Sequence, residues 1–186
     1  VLIAGYLGQN RQEKADSAAS LGLLLSVLVG VAVNTAALLI MKTYYTAFTQ
    51  NSEIFEYGIS YMSVCAFMQI PNMVHIAIQK MLQATGNMLV PMWFQIAGVV
   101  FNFVFDPLLI FGIGPFPEMG IVGAALATVL GYTLSMLIAL VQLFFTKQKI
   151  RPMIKGYSFE PQMLKKLISY GLPSFIMNAL GAFMVN

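Results

Sequence analysis

The feature that most constrains this chain is a series of long apolar runs with almost no charged side chains. A helix needs roughly 20 predominantly apolar residues to cross about 30 Å of hydrocarbon. Strands of a membrane barrel would be about ten residues long with strict alternation, a pattern the sequence lacks. The sequence therefore predicts an all-α, polytopic transmembrane helical bundle. Its predicted spans are residues 17–40, 57–79, 91–112, 120–145 and 167–186, with 1–8 as the tail of an earlier span.

The composition supports this class and excludes several functions. The hydrophobic fraction of the 186 residues is 59% and the charged fraction is 9%. In soluble domains the apolar fraction averages about 45–50% and the charged fraction about 25%. The net charge of +3 comes from ten basic and seven acidic side chains, too few for a nucleic-acid-binding surface. The single cysteine, Cys65, supports neither an internal disulfide nor a cysteine-based metal framework. A soluble enzyme and a disordered chain are also excluded.

Basic residues are distributed unequally among the connecting segments. When the connections are assigned alternately to the two sides of the membrane, one side carries nine Lys and Arg residues and the other only Lys42. Cytoplasmic loops carry an excess of Lys and Arg. We therefore expect residues 9–16, 80–90 and 146–166 to be cytoplasmic. The nine basic residues are Arg11, Lys14, Lys80, Lys147, Lys149, Arg151, Lys155, Lys165 and Lys166.

Several features indicate a piece of a longer protein with two bundles. The chain begins at Val1 without a methionine or the charged n-region of a signal peptide, and it ends at Asn186 inside an apolar run. The segment Thr146–Lys166 is the longest inner connection, and its length suggests a bridge between two bundles. Within it, Pro161–Lys166 is expected to begin an amphipathic surface helix.

Asp106 is the strongest candidate for a functional residue, because it is a carboxylate inside a predicted span. It lies roughly 22 Å along the helix from Pro91, in the outer half of the membrane. Asn102 lies one turn earlier on the same face, and Pro107 lacks an N–H and so frees the carbonyl of Phe103. Intramembrane carboxylates usually face the bundle interior or a wet cavity. The cluster can hold a proton or a small hard cation; alternatively, Asp106 snorkels to the outer interface.

Other intramembrane polar residues have structural as well as functional interpretations. Thr128 lies among small residues that allow close helix packing, where its hydroxyl most often bonds its own backbone. Tyr57 fits an interfacial aromatic belt, whereas Tyr61 lies one turn deeper and can point inward. His75 has no nearby Cys, Asp or Glu in the sequence, so we expect it near the inner interface rather than in a metal site. No nucleotide-binding, zinc-protease or nucleophile-elbow motif is present, and we expect no enzymatic activity.

Several segments together resemble the multidrug and toxic compound extrusion (MATE) family. The resemblance covers essentially the whole chain and implies twelve helices in two six-helix lobes. Residues 1–145 would then form part of the N-terminal lobe, 146–166 the inter-lobe linker, and 167–186 the truncated first helix of the C-terminal lobe. The similar segments, in order, are Tyr6–Ala15, Gln79–Asn87, Pro91, Asn102–Pro107, Met119–Thr128 and Tyr170–Pro173.

The resemblance also implies a function and a site. It implies a secondary active antiporter that exports organic cations or other amphipathic compounds in exchange for sodium or protons by alternating access. Asn102 and Asp106 match a cation-site pair on the family's fifth helix, Thr128 a partner on the sixth, and Tyr61 a tyrosine on the fourth. A sodium site at Asn102, Asp106 and Thr128 is implied, with no other metal or cofactor. Substrate-contacting residues and the choice of coupling ion stay open.

The implied partners are small-molecule substrates, the lipid bilayer and the missing lobes of the same polypeptide, with no nucleic acid. The expected location is the plasma (inner) membrane of a prokaryote. Three alternatives stay open. A lipid-linked oligosaccharide flippase of the same superfamily should have a basic cavity, yet no Lys or Arg lies inside a complete span. An intramembrane enzyme would need His75 and Asp106 to meet, although they are predicted near opposite faces. A non-transporting membrane scaffold would tolerate apolar replacements of its polar residues.

Overall fold

The computed structural model describes residues 1–48, 51–152 and 161–185, and in these residues it contains helices and no β-strand. This confirms the predicted all-α class. Lys155 of the predicted linker and Asn186 lie outside the described residues. Within this described part of the chain, four segments are long and apolar enough to cross a membrane: α2, α3 together with α4, α5, and α6. The helices are α1 (Leu2–Gly8), α2 (Gln12–Phe48), α3 (Ser52–Phe67), α4 (Gln69–Ala84), α5 (Leu89–Phe111), α6 (Gly120–Phe145) and α7 (Pro161–Val185).

Helix α2 is longer than the span predicted from its apolar core. It begins at Gln12, directly after a turn in which Asn10 adopts a positive φ of 59°. Most of the polar segment 9–16, which was predicted as a cytoplasmic connection, therefore belongs to the start of this helix. At its other end α2 continues from Ile40 to Phe48, because no Gly or Pro interrupts these residues.

The predicted span 57–79 corresponds to two consecutive helices separated at Met68. The Met68 N–H bonds the Cys65 carbonyl at 3.0 Å, which is a tighter turn than an α-helix makes. Pro71 lies in the first turn of α4. Backbone N–H groups in a first turn have no partner within the helix, so the missing N–H of proline costs no hydrogen bond there. The break separates α3 from α4. Neither of these helices is long enough to cross the membrane alone, but the two together are.

Helices α5 and α6 form the most extensive helix–helix interface of the described chain. An added Cβ on Gly98 would lie 2.8 Å from the Gly131 carbonyl oxygen, and one on Gly131 would lie 2.9 Å from the Gly98 carbonyl oxygen. Backbones therefore touch here, which only glycine permits. Ser135 adds a hydrogen bond from its hydroxyl to the Phe94 carbonyl at 3.0 Å. This confirms the small-residue packing face predicted on α6.

The segment that follows α6 folds back over the ends of α2 and α4. Asp16 accepts a hydrogen bond from the Arg151 backbone N–H at 2.9 Å, and Gln12 donates to the Lys149 carbonyl at 2.6 Å. Between these bonds, Ile150 is fully buried against Ala19 and neighbouring residues. We call residues 146–152 the return segment. Part of the predicted linker is thus packed against α2 and α4.

Helix α7 begins at Pro161, so residues 161–166 and the predicted span after them form one continuous helix. Near its start, Met163 is 2% exposed and packs with Ala18 and Leu21 of α2. The segment expected to begin a surface helix therefore has its apolar side docked against the bundle.

Candidate functional site

Three of the predicted site residues meet between α5 and α6. The side-chain amide of Asn102 lies 3.2 Å from the Thr128 hydroxyl and 3.4 Å from Oδ1 of Asp106. The hydrogen-bond network favours the amide orientation in which Nδ2 donates to Asp106 Oδ2 at 3.3 Å. Its oxygen then lies 3.2 Å from the Thr128 hydroxyl. In either orientation Asn102 bridges the carboxylate and the hydroxyl. We call these three residues the polar cluster.

Close helix packing brings this cluster together. An added Cβ on Gly123 would lie 2.5 Å from the Leu109 carbonyl oxygen, and one on Gly131 would lie 3.3 Å from the Asn102 Cβ. Both glycines approach α5, and Gly131 lies one turn from Thr128 on α6, whereas Asn102 and Asp106 are one turn apart on α5. Because these two glycines lack side chains, α5 comes close enough for Asn102 to reach across to Thr128.

The Thr128 hydroxyl has two available partners. It lies 3.0 Å from the Ala124 carbonyl of its own helix, as the sequence predicts for a threonine in this position. It also lies within bonding distance of the Asn102 amide. A hydroxyl has one proton to donate and two lone pairs. Thr128 can therefore donate to Ala124 while it accepts from Asn102, or donate to Asn102 instead.

A cavity of about 180 Å³ begins at the cluster and extends along α5 and α6. Asp106 is not among its lining residues and lies one turn beyond Asn102, at the end of the cavity. No described lining residue is charged. Its polar lining residues are His75, Gln95, Asn102, Thr128, Tyr132 and Ser135.

His75 is buried inside the bundle, and its expected depth near the inner interface stays a prediction. Its side chain is 4% exposed, and its ring has edge contacts with Phe94 at 5.2 Å and Tyr132 at 6.2 Å. The prediction from the sequence considered only whether Cys, Asp or Glu residues lie near His75 in the chain. The periodicity of α4 was the available signal, because Val74 and Ile78 on the same helix are also buried.

Tyr61 is not brought into the cluster. It is 38% exposed on α3, and it interacts with Cys65 of the same helix and with Tyr45 of α2. Among the hydrogen bonds of the described residues, none joins Tyr61 to Asn102, Asp106 or Thr128. Its membership of the site stays a prediction that rests on the family resemblance.

The cluster offers the oxygen donors that a small hard cation requires. The Asn102 amide lies within hydrogen-bond distance of both the Asp106 carboxylate and the Thr128 hydroxyl. Hard cations select carboxylate, carbonyl and hydroxyl oxygen rather than nitrogen or sulfur. The same carboxylate can instead carry a proton. The donor chemistry of these residues fits either ion.

The fold and the cluster define a polytopic α-helical membrane protein with a partly buried polar site between two spans. The MatE family model matches residues 1–108, which is more than half of the chain. The chain therefore belongs to the MATE family, and the resemblance stated from the sequence is confirmed.

Two curated relatives show the extent of the similarity. A probable multidrug resistance protein NorM of Halalkalibacterium halodurans is 25% identical over 178 residues, covering 92% of this chain and 38% of the relative. The multidrug export protein MepA of Staphylococcus aureus is 24% identical over 182 residues, covering 97% of this chain and 39% of the relative. The chain thus spans less than two fifths of the length of either relative.

Solved structures of the family confirm the architecture. The outward-facing structure of a multidrug resistance MATE family transporter has a TM-score of 0.85 and 26% identity, covering 93% of this chain and 38% of that one. An inward-facing structure of such a transporter has a TM-score of 0.81 and 28% identity, covering 93% and 39%. The chain is accordingly an integral membrane protein of this fold.

Proposed function

We propose that this chain is part of a secondary active antiporter that exports organic cations or other amphipathic compounds in exchange for sodium or protons. The observation that carries the proposal is the contact of Asp106 with Asn102, whose amide also reaches Thr128 and an uncharged cavity. A membrane-embedded carboxylate beside a cavity is the usual device for binding a coupling cation. Relatives described as multidrug resistance and export proteins support the same class of substrate.

Asn102 provides a physical route from ion binding to the cavity. A charged Asp106 only accepts hydrogen bonds, so the Asn102 amide presents its nitrogen to the carboxylate and its oxygen to Thr128. A protonated Asp106 donates, so the amide can turn over and accept that proton. Its nitrogen then faces Thr128, whose hydroxyl donates to Ala124. Proton binding thereby changes which hydrogen-bonding groups the cavity presents.

Sodium would use the same residues differently. The Asp106 carboxylate, the Asn102 amide oxygen and the Thr128 hydroxyl would replace part of the ion's water shell. Exchange transport then requires that the ion and the exported compound favour different arrangements of the lobes, because only a difference in affinity shifts a conformational equilibrium. Alternating access between inward-open and outward-open states is the expected form of this change.

The proposed orientation follows from charge. The ends of the helices that carry Lys80, Lys147 and Lys149 would face the cytoplasm, and the Gly112–Gly120 loop would face outward, in a prokaryotic inner membrane. A flippase for lipid-linked oligosaccharides is not favoured, because no described residue that lines the cavity is a Lys or Arg and a pyrophosphate needs cationic partners.

Transport by the full-length protein in proteoliposomes tests the proposal. A sodium or a proton gradient is imposed and the movement of a fluorescent organic cation is followed. We expect gradient-driven movement in the wild type and its loss in Asp106→Asn, which retains the shape of the side chain but not its charge. Glu118→Gln is the matched control, because Glu118 is an exposed carboxylate outside the spans. Retained movement in Asp106→Asn would place coupling elsewhere, and absence of movement in the wild type would overturn the proposal.

A further inference from the structure

The cavity contains a buried imidazole whose nitrogens have no hydrogen-bond partner. Neither Nδ1 nor Nε2 of His75 bonds any described residue, although the side chain is 4% exposed. Buried polar side chains in folded proteins almost always have a partner. Because His75 lines a cavity, a molecule held in that cavity can supply the missing partner.

The imidazole ring is held in place by aromatic neighbours. Its contact with Phe94 has an interplanar angle of 79° and that with Tyr132 an angle of 67°, so both are edge-on. These apolar contacts fix the ring without satisfying its nitrogens. His75 is therefore preorganised at the cavity wall, which lowers the entropy that a bound ligand would otherwise have to offset.

The size and lining of the cavity limit what it can hold. Cavities of about 150 Å³ in proteins are known to bind benzene, and this one measures about 180 Å³. Gly98 and Gly131 leave part of its wall without side chains. No described lining residue carries a formal charge, so the lining suits an uncharged group. The space and the lining both fit a single six-membered ring.

We propose that this cavity binds the uncharged aromatic ring of the exported compound, and that His75 hydrogen-bonds a hydroxyl carried by that ring. A neutral imidazole offers one donor and one acceptor, so it can pair with a phenolic hydroxyl. The inference rests on the proposed transport function and adds a substrate class to it. Asn102 and Thr128 line the other end of the same cavity, so the ring contacts the residues that respond to the coupling ion.

Two organic cations that differ in one hydrogen-bond donor test this inference. Tyramine carries a phenol, and its O-methyl analogue carries a methoxy group in the same place. Gradient-driven transport of each is measured with the full-length protein in proteoliposomes. We expect the wild type to reach half-maximal transport at a roughly two- to tenfold lower concentration of tyramine, which corresponds to the free energy of one neutral hydrogen bond. In His75→Phe the concentrations for half-maximal transport of the two compounds should become equal. The value for the methoxy compound should stay within about twofold of that in the wild type.

Two further variants separate ligand binding from structure. His75→Gln retains a donor and an acceptor and should keep part of the preference for tyramine. Leu82→Met is the matched control, because Leu82 is fully buried on α4 and does not line the cavity. His75→Phe should unfold at an unchanged or higher temperature, because it keeps the ring contacts and removes two unpaired nitrogens. A residue with only a structural role would show a lower unfolding temperature.

The outcomes distinguish this inference from the proposed function. Gradient-driven transport with no preference for tyramine, or with a preference that survives in His75→Phe, overturns the inference and leaves the antiporter intact. If the wild type transports neither of these compounds nor the fluorescent organic cation, the transport proposal fails. Calorimetric binding of the two compounds to the detergent-solubilised full-length protein then decides the inference. Equal affinities, or no difference between wild type and His75→Phe, would overturn it.

Discussion

Asn102 is the residue on which the proposed site depends, because its one side chain contacts both Asp106 and Thr128. The sequence predicted the pairing with Asp106 directly, since two residues one turn apart share a helix face. The contact with Thr128 joins two helices and has no signal in local spacing. Only the family resemblance placed Thr128 beside Asn102 in the prediction. In the structure, the packing of α5 against α6 brings the two side chains into contact.

At the residue scale, we predict that Thr128→Val weakens coupled transport whereas Thr128→Ser does not. Valine keeps the shape of threonine but removes the hydroxyl, so the Asn102 amide loses one partner. The loss of one neutral hydrogen bond corresponds to roughly a two- to tenfold lower transport rate at a subsaturating concentration of the substrate. The measurement is gradient-driven uptake into proteoliposomes at matched protein content. Equal rates for the valine and serine variants would show that the hydroxyl has no part in coupling.

A second residue-scale prediction concerns Gly98. In Gly98→Ala the new methyl group would lie 2.8 Å from the Gly131 carbonyl oxygen and would also meet the Ser135 side chain. Overpacking of this kind typically lowers the free energy of unfolding by about 1–3 kcal/mol. Thermal unfolding in detergent measures it. Gly171→Ala is the control, because nothing lies within 4 Å of an added Cβ there. Similar melting temperatures for both variants would contradict the close approach of α5 and α6.

At the scale of elements, the break between α3 and α4 shows what a hydropathy pattern misses. The apolar run 57–79 reads as one span because composition is averaged over many residues. The turn at Met68 changes the backbone path without changing that average. In contrast, α6 was predicted with its observed bounds, Gly120–Phe145. Glycine and proline precede it, and a polar basic segment follows it, so both boundaries coincide with composition changes.

The return segment carries the element-scale prediction. Ile150 is fully buried between the ends of α2 and α4, so Ile150→Ala should lower the free energy of unfolding by about 2–5 kcal/mol. It should also increase amide hydrogen exchange over residues 146–152, because the two hydrogen bonds to Asp16 and Gln12 lose their apolar anchor. Ile121→Ala is the control, since Ile121 is 59% exposed on α6. Equal effects of both variants would show that the return segment does not pack against α2 and α4.

At the scale of the whole molecule, large apolar side chains cover much of the outside of the bundle. Phe103 is 80% exposed and Phe145 is 85% exposed, values that fit contact with lipid or with further helices rather than with water. The chain spans 38% of the length of its NorM relative.

The orientation is tested at this scale. Reporter fusions at Gln148 and at Pro115 should report opposite sides of the membrane, with Gln148 in the cytoplasm. The physical reason is the excess of Lys and Arg near the first position and their scarcity near the second. A reporter active only in the periplasm and one active only in the cytoplasm are fused in turn at each site. The reverse pattern, or the same side for both sites, would overturn the proposed topology.

The sequence by itself determined the all-α membrane class, the bounds of α6, the family and the pairing of Asn102 with Asp106. These follow from hydropathy, charge and motif order, which are properties of the chain. Only the tertiary structure decided that His75 lies inside the bundle, that Tyr61 stays outside the cluster, and that residues 146–152 pack against α2 and α4. Each of these depends on which surfaces meet when helices pack, because the direction of a side chain is set by neighbours distant in the sequence.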